Sequence, residues 1–250
     1  NHLKSKYGNS IDDILIALNE KRERISVLND YDSYLQKLEQ QLAKKEKELA
    51  QISDEVSEIR QRSAVKLVSE IKSALNDLNF LAVQFDMQFD RLPDYTANGI
   101  DAPEFLISTN PGEPLKPLGK VASGGELSRI MLGIKTIMAE NDHIESLIFD
   151  EIDSGISGRT AQMVSEKMNE LGRNHQIICI THLPQIAAMA DAHFLIEKAV
   201  ENKSTVSRIR RLTDNDSVAE LARMLGGAKI TDTVMESARE MKALAMEKKI

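Results

Sequence analysis

Apolar residues in the N-terminal part of the chain recur at the seven-residue spacing of a coiled-coil helix. One seam position is occupied by Leu28, Leu35, Leu42, Leu49 and Val56. The companion position is occupied by Leu38, Ile52 and Ile59, with Lys45 as its polar exception. No Pro or Gly interrupts residues 11–67, and the positions outside the seam are rich in Lys, Glu, Gln and Arg. This pattern predicts a long helix that forms one strand of a coiled coil and needs a partner strand.

The heptad register changes near the start of this helix, and the identity of its partner strand stays open. Ile11, Leu18 and Ile25 also lie seven apart, but their companion position falls on the other side, which indicates a local stammer near Tyr31. Ser10 and Asp13 are typical of a helix start. The partner strand is another copy, a different protein or an upstream part of the same polypeptide. The alternative is a long helix that lies on a globular domain.

The rest of the chain has the pattern of an α/β lobe. Alternating apolar residues predict strands at 80–89 and 104–108, with a turn-rich stretch at 92–100 and a proline-rich loop at 110–120. Further strands are predicted at 146–149, 176–180, 194–196 and 206–210. Helices are predicted at 123–139, 160–171, 183–189, 218–225 and 231–247. Two short apolar runs with helical crossovers predict a parallel sheet, and the last two strands predict an antiparallel pair.

Composition fits a charged arm at residues 1–72 joined to a globular lobe at residues 73–250. The chain has 250 residues and a net charge of −7, so any contact with DNA must be local. Cys179 is the only cysteine, which excludes an internal disulfide and favours a reducing cytoplasmic setting. No apolar run reaches membrane-spanning length. The chain opens on Asn1 within a polar stretch, which we interpret as part of a longer protein.

A glycine pair at a predicted helix start is the first candidate for chemistry. In the sequence VASGGELSR at residues 121–129, Ser123 and Glu126 have the spacing of a capping box. Gly124 and Gly125 lack side chains, so a phosphate can approach the exposed N–H groups and the positive end of the helix dipole. A merely well-capped helix is an equally good interpretation of these residues alone.

Two carboxylates follow a predicted buried strand. In LIFDE, residues 147–151, Asp150 and Glu151 lie at the carboxyl end of the strand, where open α/β sheets bind ligands. Asp150 can hold Mg²⁺ directly or through water, and Glu151 can orient an attacking water. The alternative is that acidic residues simply end the strand at the surface.

A histidine follows the next predicted buried strand. His182 ends the run IICITH at residues 177–182, where it can donate a hydrogen bond to a phosphate or to the attacking water. If the two strands are parallel neighbours, His182 reaches the same edge as Asp150 and Glu151. Asp153 lies in a glycine-rich turn, which either packs against a second subunit or simply caps the next helix. Cys179, inside the strand, is interpreted as a core residue.

The order of these motifs, together with the coiled coil, resembles ABC-type ATPase heads of the SMC-like group. Three stretches resemble the C-terminal half of the bacterial RecN family of repair proteins: NPGEPLKPLGKVASGGELSRIMLGIK, LIFDEIDSGISGRTA and IICITHLPQIAAMADAHFLIEK. The resemblance covers essentially the whole chain. It implies an α/β fold, the C-terminal lobe of an ABC-type head with a P-loop NTPase-like parallel sheet and helices, preceded by a long coiled-coil helix.

The resemblance also implies roles for individual residues. The signature motif, which contacts the γ-phosphate of ATP held by the opposite head, is implied to comprise Ser123, Gly124, Gly125 and Glu126. Asp150 is implied to support Mg²⁺, and Glu151 to be the catalytic glutamate. Asp153 is implied to belong to the D-loop at the dimer interface, and His182 to be the switch histidine.

The implied function is that of an ATPase acting in DNA double-strand-break repair and recombination at the bacterial nucleoid in the cytoplasm. The implied partners are the N-terminal half of the same protein, a second head in a homodimer, and DNA, with no membrane. No G-x-x-x-x-G-K-[S/T] sequence occurs, and Gly119 and Lys120 form the only Gly-Lys pair. The phosphate-cradling loop is therefore expected in the N-terminal half, and this chain alone is expected to be inactive. The alternatives are a non-catalytic coiled-coil assembly module with an ABC-like head, and a transporter nucleotide-binding subunit, which the long arm disfavours.

Overall fold

The chain folds into two compact units. A computed structural model describes all residues except 1, 9, 122, 140–143, 202, 203, 228 and 250, so the Ala at position 122 of the glycine-pair motif lies outside the described residues. One unit comprises Asn1–Gln61 and Leu92–Asp101. The other comprises Arg62–Arg91 and Ala102–Ile250.

A long helix dominates the first unit. After a short helix α1 (His2–Tyr7), which the pattern does not predict, helix α2 runs without interruption over Ile11–Asp77. Ser10 and Asp13 cap its start reciprocally: the Asp13 N–H donates to the Ser10 hydroxyl at 3.1 Å, and the Ser10 N–H donates to the Asp13 carboxylate at 2.9 Å. The predicted helix start is therefore confirmed, and the seam leucines along α2 are exposed.

The turn-rich stretch predicted at residues 92–100 is mostly strand. Strand β1 (Gln84–Thr96) extends into it, and strand β2 (Gly99–Ser108) begins after a turn at residues 97 and 98. Residues 92–96 contain Pro and Asp, but β1 lies at the edge of its sheet, where a proline that lacks an N–H is tolerated. The Thr96 hydroxyl donates to the Gly99 carbonyl at 2.8 Å and so tightens the turn. Asp101 then anchors β2 to the helix, because it accepts from the Ser57 hydroxyl at 2.7 Å and from Arg60 at 3.0 Å.

The predicted proline-rich loop contains two short regular segments. Strand β3 (Lys116–Pro117) pairs antiparallel with β2, with Leu106 opposite Pro117, and completes a sheet of order β1-β2-β3. A single 3-10 turn, Leu118–Lys120, follows it and leads to the next helix.

The core of the second unit carries the predicted parallel strands. Helix α3 (Gly124–Met138) precedes strand β4 (Ser146–Phe149), helix α4 (Gly158–Leu171) and strand β5 (Gln176–Cys179). Strands β4 and β5 pair in parallel, which confirms the prediction. One face of this pair packs on a cluster of buried apolar side chains that includes Ile71 and Leu75 from the last turns of α2.

The opposite face of β4 and β5 is apolar and exposed. Ile148, Ile178 and Ile180 expose 69%, 46% and 50% of their surface, respectively. Parallel strands are normally covered on both faces. Among the described residues, only one of the two layers that such strands usually have therefore covers this sheet.

The C-terminal elements form a second apolar cluster. Helix α5 (Pro184–Ala188) is followed by strands β6 (Phe194–Glu201) and β7 (Ser204–Arg211), which pair antiparallel as predicted. Helices α6 (Asp214–Gly226) and α7 (Asp232–Glu247) then pack on α5. Lys242 of α7 donates to the carbonyls of Ala188 and Ala190 at 3.1 and 3.2 Å, and burial lowers the pKa of its ammonium group. Among the described helices, none is long and apolar enough to cross a membrane.

Candidate functional site

The carboxyl ends of β4 and β5 bring the predicted acidic pair and the histidine to one edge. Phe149 lies opposite Cys179 in the ladder, and the Ile180 N–H extends it by donating to the Phe149 carbonyl at 3.0 Å. The next residues along each strand are Asp150–Glu151 and Thr181–His182. The parallel pairing of the two strands therefore places both pairs of residues at the same edge of the sheet.

Asp153 joins the turn after β4 to the turn after β5. One oxygen of its carboxylate, Oδ2, accepts from the Thr181 hydroxyl at 2.6 Å and from the His182 N–H at 2.7 Å. The same oxygen lies 3.0 Å from His182 Nδ1. The Asp153 residue is only 4% exposed, whereas the His182 side chain is 73% exposed. The imidazole is therefore held at its base and projects outward.

The start of α3 presents its first residues unequally. Ser123 is the N-cap, and its hydroxyl accepts from the Glu126 N–H at 3.4 Å, as the capping-box spacing predicts. Ser123 and Gly124 are exposed, but Gly125 is buried against the turn after β4. A Cβ placed on Gly125 would lie 2.8 Å from Cβ of Ser154. The expected open helix start therefore extends over Ser123 and Gly124, and not over Gly125.

Glu151 has an unusual backbone and lies against this helix start. Its φ is +55°, a left-handed conformation that is uncommon for a residue with a long side chain. A Cβ on Gly124 would lie 2.6 Å from Glu151 Oε2, so the carboxylate occupies the space that the glycine leaves free. Such conformations persist only where the surrounding structure enforces them, and they cluster at functional sites. The Glu151 N–H donates to the Asp150 carboxylate at 2.9 Å and helps to fix the turn.

Two residues of α3 that the sequence reasoning missed hold the turn in place. The Ser128 hydroxyl donates to the Asp150 carbonyl at 2.9 Å. Arg129 donates to the carbonyls of Ser154 and Ile152 at 2.9 and 3.3 Å, with its guanidinium 5.4 Å from the centre of the Phe80 ring. Burial lowers the pKa of Arg129, and Glu126 opposes that shift. An arginine near a helix N-terminus is unfavourable, because the positive end of the helix dipole repels its charge. This unusual placement was the sequence signal that could have identified Arg129.

The residues at this edge fit a nucleotide-bound Mg²⁺ but not a complete protein cage. Among the described residues, no group of three or more His, Cys, Asp or Glu side chains is arranged to hold a metal. Mg²⁺ usually keeps several waters and binds one or two carboxylates together with substrate phosphates. Asp150 is exposed, so it can serve as such a single carboxylate.

The pKa of the Cys179 thiol reflects the carboxylates at this edge of the sheet. Burial raises the pKa of its thiol to about 12, and the nearby carboxylates of Asp153 and Asp150 add to the shift. The thiol packs against the main core, as the sequence predicts. The site is therefore acidic before any cation binds.

Comparison with known proteins identifies relatives of the chain over almost its full length. It is 42% identical over 254 aligned residues to the DNA repair protein RecN of Bacillus subtilis, which covers 96% of this chain and 44% of the relative. The RecN of Halalkalibacterium halodurans is 40% identical over 97% of this chain and 44% of its own length. The RecN of Deinococcus radiodurans is 34% identical over 96% of this chain and 42% of its own length. The chain therefore spans less than half the length of these relatives.

The comparison with solved structures concerns the fold. A Smc head domain with a coiled coil and joint, derived from Pyrococcus yayanosii, matches 85% of this chain and 38% of its own length with a TM-score of 0.56 and 19% identity. No protein-family model matches the sequence. The predicted fold, an ABC-type head lobe preceded by a long helix, is confirmed by this match. Over the segment that it spans, the chain is homologous to the proteins named DNA repair protein RecN.

Proposed function

We propose that this chain supplies one half of a composite ATP site in a DNA-repair ATPase of the RecN type. The observation that carries the proposal is the parallel pairing of β4 and β5, since it brings Asp150, Glu151 and His182 to one edge. The start of α3 lies beside the same edge, because Ser128 bonds to the Asp150 carbonyl. ATP and Mg²⁺ are the ligands that this combination of groups suits.

The proposed division of labour follows from the chemistry of each group. Asp150 supports the Mg²⁺ that neutralises the phosphates, and Glu151 orients and polarises the attacking water. Ser123 and Gly124 present the positive end of α3 to the γ-phosphate of ATP held by a second head, with Gly125 and Glu126 shaping that helix start. His182 faces the same reaction centre from the end of β5.

We further propose that residues 1–72 are a coiled-coil arm and residues 73–250 the head lobe. The N-terminal half of the full-length protein then provides the phosphate-cradling loop, the other arm strand and the layer over the bare face of β4 and β5. The exposure of Ile148, Ile178 and Ile180 supports a missing layer. A second head completes each ATP site in a homodimer, and DNA in the bacterial cytoplasm is the proposed substrate, by analogy with the relatives' name.

Reconstitution tests this function. The chain is co-expressed with the N-terminal half of the same protein, and Mg²⁺-ATP turnover is measured with and without linear DNA. We expect turnover from the complex and almost none from the chain alone, because no phosphate-cradling loop occurs in the sequence. Glu151→Gln and Ser123→Arg are each expected to lower kcat by at least about 100-fold.

Glu104→Gln is the matched control for the change of charge, since Glu104 is an exposed residue of β2 and is not part of the proposed site. It should turn over ATP like the unaltered complex. Full activity of the Glu151→Gln complex would contradict the proposed role of Glu151, and absence of turnover from the unaltered complex would favour a non-catalytic assembly module. Strong turnover by the chain alone would contradict the composite site.

A further inference from the structure

A closed turn after β4 sets the backbone of Glu151. The Ser154 N–H donates to the Glu151 carbonyl at 2.9 Å, which closes a turn over residues 151–154. Glu151 adopts its positive φ at the first position of this turn. A shift of residues 152–154 therefore moves the backbone from which the Glu151 carboxylate projects.

Arg129 holds this turn from the side of α3. One nitrogen of its guanidinium, Nη1, donates to the Ser154 carbonyl at 2.9 Å and to the Ile152 carbonyl at 3.3 Å. The Asp153 carboxylate, which lies between these two residues in sequence, accepts from the His182 N–H at 2.7 Å. The turn is therefore attached to α3 by two carbonyls and to the turn after β5 by one carboxylate.

The guanidinium of Arg129 is fixed by the residues around the end of α2. The Phe80 N–H donates to the Leu75 carbonyl at 3.0 Å, and Phe80 is only 8% exposed. The guanidinium lies 5.4 Å from the centre of the Phe80 ring, where a cation and an aromatic ring attract each other. Arg129 is also 8% exposed, and within the described part of the chain it makes no ion pair with a carboxylate. Its buried charge is therefore stabilised by the ring and by the two carbonyls of the turn.

We propose that Arg129 is a positioning residue that sets the orientation of Glu151 by holding residues 151–154 against α3. This inference rests on the proposed ATPase function, in which Glu151 orients the attacking water. Arg129 bonds to backbone carbonyls of the turn, so its effect on turnover is exerted through Glu151. Loss of Arg129 should accordingly lower kcat and leave the KM for ATP nearly unchanged.

Hydrogen exchange tests the hold on the turn without nucleotide. It is measured by mass spectrometry on the complex with the N-terminal half, in peptides that cover residues 150–157, with α7 as an internal reference. Arg129→Ala is expected to speed exchange in this segment by at least about tenfold, because the closed turn opens more often. Arg173→Ala removes the same charge from an exposed residue after α4 and should leave exchange as it is.

Turnover of Mg²⁺-ATP by the same complex tests the catalytic consequence. Arg129→Ala is expected to lower kcat by about 10- to 100-fold, the cost of misplacing a catalytic group. Arg129→Lys should lower kcat by less, because lysine keeps the charge but not the flat guanidinium. Neither variant should change the KM for ATP by more than about twofold. Arg129→Ala should add little to the loss caused by Glu151→Gln, since both changes affect the same group.

Chemical rescue separates loss of the guanidinium from a general loss of folding. A cleft of about 330 Å³ beside Arg129, lined also by Leu81, Gly155 and Thr160, gives a small cation access to the space that alanine leaves. Guanidinium chloride, far below the concentrations that unfold proteins, should raise the kcat of Arg129→Ala several-fold and leave that of Arg173→Ala unchanged.

The results that would overturn the inference are distinct from those that would refute the ATPase. Unchanged kcat in both Arg129 variants, unchanged exchange in residues 150–157, or losses that add to those of Glu151→Gln would overturn it. An equal gain from sodium chloride in place of guanidinium would also contradict it. A complex without any turnover would refute the ATPase proposal, while the exchange rates would still decide whether Arg129 holds the turn.

Discussion

Gly124 and Gly125 are neighbours in sequence but have very different surroundings. A Cβ on Gly125 would lie 2.9 Å from the Glu151 carbonyl and 2.8 Å from Ser154 Cβ, atoms that belong to or adjoin the backbone. A Cβ on Gly124 would meet only the flexible end of the Glu151 side chain. We therefore expect Gly125→Ala to lower the free energy of unfolding by about 1–3 kcal/mol, and Gly124→Ala to change it by less than about 0.5 kcal/mol.

Urea denaturation of the two alanine variants measures this difference. The pair controls for helix propensity, since both changes add a methyl group in the first turn of α3. Equal losses of stability in both variants would mean that the turn after β4 does not pack on Gly125.

Cys179 should react slowly for an electrostatic reason. Its thiol pKa is raised to about 12 from an ordinary 9.0, so at about pH 8 the thiolate fraction falls by roughly three orders of magnitude. Alkylation by iodoacetamide should accordingly be about a thousandfold slower in native protein than in urea. Comparable rates in the two states would contradict the burial of this strand.

The raised pKa of Cys179 also predicts that the folded state loses stability at high pH. A raised pKa means that the folded state favours the neutral thiol. The stabilisation from this group is fully present below about pH 9 and is lost as the pH rises toward about 12. A Cys179→Ser variant, whose hydroxyl does not titrate there, should lose less stability over that interval.

The sequence predicted which residues lie at the edge of the sheet, but it did not predict the hydrogen bonds between them. Strand periodicity and the rule for parallel sheets place Asp150, Glu151 and His182 together, because both depend on sequence alone. The hydrogen bond from the His182 N–H to Asp153 depends on the conformation of two turns, in one of which Glu151 adopts a positive φ. No local pattern encodes that contact between residues far apart in sequence.

At the scale of elements, period and composition predicted most helices and strands to within a few residues. Strand β4 was predicted with its observed bounds, and α4 starts two residues earlier than predicted, at Gly158. One exception is the end of β1, where Pro93 and Asp94 indicated turns although edge-strand hydrogen bonding accommodates them. The end of α2, the start of β2 and the end of β6 also extend well beyond their predicted bounds. Composition is a poor guide there, because an edge strand leaves backbone groups free for solvent.

The seam of α2 leads to a prediction about association. Leu42 and Leu49 expose 59% and 44% of their surface on a helix that ordinarily buries such a stripe. We expect the isolated chain to self-associate, and Leu42→Glu with Leu49→Glu to raise its dissociation constant by at least about tenfold, since two apolar contacts are lost. Sedimentation equilibrium measures the change.

The control places the same charges off the seam. Ser33→Glu with Gln40→Glu alters two exposed positions of α2 outside the heptad stripe, also seven residues apart, and should leave association close to that of the unaltered chain. An equal effect of both double variants would indicate general charge repulsion instead of seam pairing.

At the scale of the whole molecule, the parallel sheet and the long helix were predictable because their patterns extend over many residues. The compact units are not marked by such patterns: the boundary after Gln61 lies within the continuous helix α2, and residues 92–101 belong to the first unit, in which Asp101 accepts from Arg60. A heptad pattern marks where a helix supercoils, but it does not mark where that helix first meets other elements.

The exposed isoleucines of β4 and β5 also affect how prone this chain is to aggregate during production. Three exposed isoleucine side chains on two short parallel strands form a hydrophobic patch, and such patches promote association with other proteins. When this chain is produced on its own, that patch stays open to chaperones and to unintended neighbours. If the N-terminal half supplies a covering layer, as proposed, co-expression with that half should reduce aggregation, and it should do so beside the edge that carries Asp150 and His182.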